Sequence, residues 1–130
     1  MNVAIIGCGL IGHKRAKTLG SAKMVACCDQ ISEKAEALAK QFPGCIALNN
    51  WQDVMCRDDI DIIIVATIHV SLAEIGLAAL SAGKHVFIEK PAGRLSEEIE
   101  PLIVAAKKNN VLARVGFNHR YHRVFRKAKE

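Results

Sequence analysis

Three glycines at positions 7, 9 and 12 follow directly on the apolar run Val3-Ala4-Ile5-Ile6. The spacing G-x-G-x-x-G is weak by itself, because nine glycines in 130 residues produce it by chance now and then. Its setting makes it specific. It follows a predicted strand, opens a predicted helix, and is succeeded by Asp29, 17 residues after Gly12 and at the end of the next predicted strand. These are the conditions of a dinucleotide fingerprint. Each glycine has its own physical role: Gly7 for a tight turn, Gly9 for approach of backbone N–H groups to a pyrophosphate, Gly12 for close packing of helix on strand. Leu10 and Ile11 lie in the first turn of that helix, whose N-terminus offers partial positive charge to phosphates. A carboxylate at Asp29 can accept hydrogen bonds from the adenosine ribose hydroxyls and repels a 2′-phosphate, which favours NAD over NADP. Lys34, five residues on, is the counter-argument, since it could reach such a phosphate. Nothing beyond the fingerprint suggests a flavin.

The remaining chain alternates in the same way. Strands are expected at Met24–Asp29, around Cys45–Leu48, at Asp61–Thr67, His85–Lys90 and Leu112–Phe117. Helices are expected from the glycine turn to about Ser21, from an N-cap at Ser32 to Gln41, from Asn50 to Cys56, over Val70–Ala82 and over Ser96–Asn109. Pro101 sits badly in the last of these, so either that helix starts near Glu100 or its first turn is irregular. From Tyr121 onward the chain reads as helical. Short connections between six strands and their helices predict an α/β Rossmann-type, doubly wound parallel sheet of about six strands, with helices on both faces.

Composition sets the class: 51% hydrophobic and 24% charged residues describe one folded globular domain. No apolar run reaches the length of a membrane span, and the first ten residues lack the features of a secretory signal, so a cytoplasmic protein is expected. The five cysteines form no Cys-x-x-Cys pair, and they read as reduced thiols with no metal. Residues 1–113 hold twelve Lys/Arg and twelve Asp/Glu; the net charge of +5 comes from Arg114, Arg120, Arg123, Arg126, Lys127 and Lys129 against Glu130. Phe117, Tyr121 and Phe125 share that tail. A basic, aromatic tail suits nucleic acid. It suits equally a helix face, with Tyr121, Val124 and Phe125 together, that meets a protein surface or another copy. The second reading, with no nucleic acid and with self-association, is the expectation.

Glu89-Lys90-Pro91 ends the fifth predicted strand. In an open α/β sheet, ligands sit beyond the carboxyl ends of the strands, so a charged pair there lies at the cleft. The glycine fingerprint, Ala66-Thr67, the run Ala73-Glu74-Ile75 through Ala78-Ala79-Leu80 to Ala82-Gly83-Lys84-His85-Val86, then Glu89-Lys90-Pro91 and Gly116-Phe117-Asn118-His119-Arg120-Tyr121, together resemble the glucose–fructose oxidoreductase and inositol dehydrogenase family, Gfo/Idh/MocA. The resemblance covers essentially the whole chain but only the family's N-terminal half. It implies an oxidoreductase that moves a hydride between a nicotinamide cofactor, NAD, and the CH–OH group of a sugar, cyclitol or derivative. It implies that Lys90 is catalytic, beside the substrate hydroxyl and the nicotinamide, and that the peptide before Pro91 is cis. It implies that Thr67, Glu89, Lys90 and Asn118 line the cofactor and that Lys90 and Arg120 face the substrate.

Two departures accompany the resemblance. Ile68 stands where the family often has proline, and Leu72 where it often has a histidine; His69 is not equivalent. The family's second, substrate-covering domain is expected outside these residues. Residues 1–120 are then the dinucleotide-binding domain and 121–130 the start of the connection, and the chain alone is expected to bind cofactor without turnover. The alternative is a non-catalytic NAD(P)-binding or sensing module, which would have no need of Lys90.

Overall fold

The computed structural model describes all 130 residues. Six strands form one sheet: β1 (Asn2–Ile6), β2 (Lys23–Cys28), β3 (Ile46–Leu48), β4 (Ile62–Val65), β5 (His85–Ile88) and β6 (Ala113–Val115). Their spatial order is β3-β2-β1-β4-β5-β6, and every pairing is parallel. This is the doubly wound Rossmann order, in which the chain reverses its direction of travel between β1 and β4. The helices are α1 (Leu10–Ala16), α2 (Ser32–Ala39), α3 (Trp51–Met55), α4 (His69–Ser81), α5 (Ile99–Lys108) and α6 (Arg123–Lys127).

Strand residues bury alternately on two faces. Val3, Ile5, Met24, Cys27 and Ile64 pack beneath α1 and α2 with Ala16, Ala35 and Leu38. Ala4, Ile6, Ala26, Cys28, Ile63, Val65, Val86 and Ile88 pack beneath α3, α4 and α5 with Val54, Leu72, Ile75, Ala79, Leu80, Leu102 and Ala105. A strand buried on both sides has no polar face, which is why Ile62 to Val65 runs without a polar residue. Each fully buried Ile or Leu contributes about 1.5–3 kcal/mol.

Several boundaries differ from the sequence reading. Helix α1 stops at Ala16 rather than near Ser21: the Thr18 hydroxyl donates to the Arg15 carbonyl (3.0 Å), and Gly20 turns the chain with φ +63°. The N-cap of α2 is Ile31, not Ser32, and has no capping side chain of its own; Asp29 Oδ1 instead accepts the Ile31 N–H at 2.9 Å. Asn50 caps α3, its side chain accepting from the Gln52 N–H at 3.3 Å. Before α5, Ser96–Glu98 winds as a 3-10 turn, and the α-helix proper begins at Ile99. Pro101 is thereby the third helical residue, where its missing N–H would have had no intrahelical acceptor. The tail is broken rather than continuous, with a 3-10 turn at Asn118–Tyr121, an extended His122 (ψ 135°), and then α6. Tyr121 therefore does not share a helix with Val124 and Phe125. All three are exposed, at 68%, 65% and 55%, and Phe125 meets the His119 and His122 rings edge-on. No helix is long and apolar enough to cross a membrane.

Candidate functional site: a cleft at the strand-order reversal

The carboxyl ends of β1, β2 and β4 surround a cavity of about 440 Å³. Ile6, Gly7, Gly9, Leu10 and Ile11 enter it from β1 and α1, Cys28 to Ile31 with Lys34 from β2 and α2, and Ala66, Thr67 and Ile68 from β4. A crevice at this reversal is where doubly wound sheets take ligands, because the two crossovers leave on opposite faces and open a gap there.

The three fingerprint glycines meet different constraints. Gly7 has φ +99°, and a Cβ there would collide with the Ala66 carbonyl group, whose carbon would lie at 2.6 Å. A Cβ on Gly12 would run into the carbonyl oxygen of Gly7. Both are dictated by the fold itself. Gly9 is different: its φ of −80° suits any residue, and a Cβ would meet nothing within 4 Å. The chain has no internal need for glycine at this position. What its absent side chain leaves open is the cavity mouth, where the first-turn N–H groups of α1 have no intrahelical acceptor. That arrangement fits a pyrophosphate, which accepts from such N–H groups at close range.

Asp29 ties the site together. Oδ2 accepts the Cys8 N–H at 2.8 Å and Oδ1 the Ile31 N–H at 2.9 Å, so one carboxylate links the glycine turn to the end of β2. Each oxygen keeps a further lone pair, enough to accept from vicinal hydroxyls in the cavity. Lys34 lies on the same cavity wall, exposed and in none of the chain's ion pairs. Cys28, also on the wall, offers no nucleophile. Burial, followed by the Asp29 and Asp53 carboxylates, pushes its thiol up to about 11, so the thiolate is scarce at neutral pH. Behind it, the Cys45 thiol draws Cys27 down, but the Cys8 thiol and burial outweigh that and leave it at about 12. All five cysteines are free thiols.

The sequence-predicted residues divide into two groups. Gly7, Gly9, Leu10, Ile11, Asp29 and Thr67 line the cavity, with Gly12 buried directly behind it. Glu89, Lys90, Asn118 and Arg120 lie outside its walls, toward β5 and β6. Glu89 is buried and ion-paired with Arg15 of α1. Lys90 is exposed at the end of β5, in a tight turn closed by the Ala92 N–H donating to the Glu89 carbonyl at 3.0 Å, and the Lys90–Pro91 peptide is cis. Asn118 and Arg120 are exposed in the 3-10 turn after β6. Leu72 is fully buried in the core, and His69 is exposed in the first turn of α4. The sequence reading missed Arg15, which stands beside Lys14 in a basic stretch of α1 and has no spacing signal that sets it apart. It also missed Trp51 and Asn49, which close the β3 side of the cavity.

Comparison with known proteins agrees with this geometry. Over 127 residues the chain is 32% identical to an inositol 2-dehydrogenase of Salmonella typhimurium, covering 93% of this chain and 38% of that protein. It is 31% identical to a levoglucosan dehydrogenase of Pseudarthrobacter phenanthrenivorans, covering 92% of this chain and 34% of the other. Among solved structures, myo-inositol 2-dehydrogenase of Lactobacillus plantarum superposes with a TM-score of 0.90 at 29% identity, over 99% of this chain and 40% of its own. Scyllo-inositol dehydrogenase of Lactobacillus casei, with bound NAD(H) and scyllo-inositol, gives 0.89 at 26%, over 99% and 40%. The chain thus spans about two fifths of the length of the relatives it matches. Residues 1–117 match the family model described as the oxidoreductase family, NAD-binding Rossmann fold. With fingerprint, strand order and cleft in agreement, the chain belongs to the Gfo/Idh/MocA oxidoreductase family and carries its NAD-binding Rossmann fold.

Proposed function

We propose that this chain is the cofactor-binding part of an NAD-dependent dehydrogenase acting on the CH–OH group of a cyclitol, sugar or sugar derivative. The observation that carries it is the cleft, with an open Gly9 and a doubly anchored Asp29; Lys90 stands outside its walls, on the turn two strands away. Gly7, Gly9, Leu10, Ile11 and Gly12 hold the pyrophosphate. Asp29 holds the adenosine ribose, and Thr67, Glu89 and Asn118 border the rest of the cofactor. When bound, the nicotinamide supplies the hydride acceptor. Lys90 binds the substrate hydroxyl and moves its proton, with general acid–base help of about 10²–10⁴-fold, and Arg120 orients the substrate. Residues 1–120 make up the dinucleotide-binding domain, and 121–130 begin the connection to a substrate domain. Holding the near-attack separation of about 3–3.5 Å between reacting atoms needs substrate-side walls as well, so residues 1–130 assayed by themselves should bind cofactor without turnover.

Calorimetric titration of the chain with NAD, NADH, NADP and NADPH tests this reading directly. NAD(H) is expected to bind at least about tenfold more tightly than NADP(H), because Asp29 repels a 2′-phosphate. Asp29→Ala should narrow the gap mainly by weakening NAD(H), since the Cys8 N–H loses its acceptor together with the ribose. Lys34→Ala should leave NAD(H) unchanged and weaken NADP(H) further. Equal binding of the two cofactors by the unmodified chain would count against the role given to Asp29.

The exposed Phe117, Tyr121, Val124 and Phe125 support self-association of the chain, since four large apolar side chains left in water within one short stretch favour burial against another surface. Light scattering should show Tyr121→Ser with Phe125→Ser shifting the chain toward monomer, with NADH affinity unaltered. If the tail instead took nucleic acid, oligonucleotide affinity would fall steeply with salt.

A further inference from the structure

Arg15 lies on α1, the helix whose first turn lines the cavity, yet its guanidinium points away from the cavity toward β5. There its Nε donates to Glu89 Oε1, and its Cζ lies 4.8 Å from the centroid of the Phe87 ring. The Arg15 side chain is 22% exposed and that of Glu89 11%. Glu89 is further held by its backbone, the N–H donating to the Val65 carbonyl at 2.9 Å and the carbonyl accepting from Ala92. A Cβ on Gly116 would come within 3.1 Å of both Glu89 Oε2 and the Phe87 ring, so β6 also leaves room for this carboxylate. Four elements thus converge on one partly buried ion pair: α1, β4, β5 and β6.

Its location gives the pair a consequence. A dinucleotide spans both halves of a doubly wound sheet. Asp29 marks the adenosine half over β2, which leaves the nicotinamide half over β4 and β5, where Glu89 sits. The two redox forms of the cofactor differ there by one positive charge, carried by the oxidised ring. An unpaired carboxylate in a poorly solvated position would favour the oxidised form; a carboxylate neutralised by a fixed guanidinium would not. Resting on the NAD reading above, we propose that Arg15 is a positioning residue that holds and neutralises Glu89, and so sets the relative affinity of the site for NAD⁺ and NADH. The planar guanidinium serves both ends of the task, because it stacks on Phe87 while its edge meets the carboxylate.

The test is a binding ratio, measured on the chain with three probes: NAD⁺, NADH and ADP-ribose, which lacks the nicotinamide. In Arg15→Met, the NAD⁺/NADH affinity ratio is expected to move roughly fivefold toward NAD⁺, the size of one released charge a few ångströms away in a partly screened site. ADP-ribose affinity should stay within about twofold, because the Asp29 side is untouched. Arg15→Lys should restore the original ratio by returning the charge, and Arg15→Met with Glu89→Gln should restore it by removing both. Should Arg15→Met fail to fold, because it leaves the largely buried Glu89 carboxylate without its partner, Glu89→Gln alone serves. It leaves the guanidinium uncompensated and should move the ratio toward NADH. An unmoved ratio in a folded variant that still binds ADP-ribose overturns the proposal, as does parallel loss of all three probes. If the unmodified chain binds none of the three, it is the NAD reading that fails.

Discussion

Gly9→Val should leave the protein folded at nearly full stability while weakening NADH binding by about 3 kcal/mol, roughly a hundredfold in Kd. The two halves of that expectation have separate physical origins. Stability survives because the backbone at position 9 is extended, with φ −80°, and because a Cβ there meets nothing within 4 Å. Binding fails because the valine side chain fills the space where a pyrophosphate must approach the first-turn N–H groups of α1, and a phosphate held off by a side-chain layer cannot accept from them. Circular dichroism and thermal melting establish the first half, and calorimetry with NADH and ADP-ribose the second. Both ligands should be lost together, since both carry the pyrophosphate. A folded variant with unchanged affinity would place the phosphate site elsewhere in the molecule.

Gly12→Ala is the complementary case and should fail in the opposite way. One added methyl group on α1 would be driven into the Gly7 carbonyl oxygen, with the Ile5 side chain also only 3.5 Å away. Backbone cannot yield as a flexible side chain would, so the helix must lift from the sheet. Overpacking of this kind costs about 1–3 kcal/mol, and this site belongs at the upper end. Total stability of a small domain is about 5–15 kcal/mol, so the loss is a substantial fraction, and NADH binding should decline with the fraction folded. Denaturant titration should show the midpoint falling with little change in slope. A melting temperature equal to the parent's would show that α1 is not seated on β1 as described.

What the amino-acid sequence determined unaided is the part governed by short-range rules. The β-branched run at Ile62 to Val65, the fingerprint on the end of β1, the carboxylate at Asp29 and the end of the α4 helix near Ala82 are local patterns, and each lies where the patterns place it. Parallel strands follow from alternation alone, because a helix between two strands brings the chain back in the same direction. The family resemblance was likewise readable from contiguous words such as Gly83-Lys84-His85-Val86 and Glu89-Lys90-Pro91. The sequence missed two places where a side chain only two residues away settled a local choice. Asp29 rather than Ser32 takes the N–H at the head of α2, because the end of β2 brings its carboxylate there. The tail breaks at His122 instead of continuing as one helix. The fingerprint gave the three glycines distinct roles, but only the tertiary structure located the carbonyl groups that a Cβ on Gly7 or Gly12 would strike and left Gly9 with no such neighbour. It alone also joined Arg15 to Glu89, 74 positions apart. No periodicity carries such a pair, because a single charge on a helix face gains its meaning from whatever the fold sets opposite it.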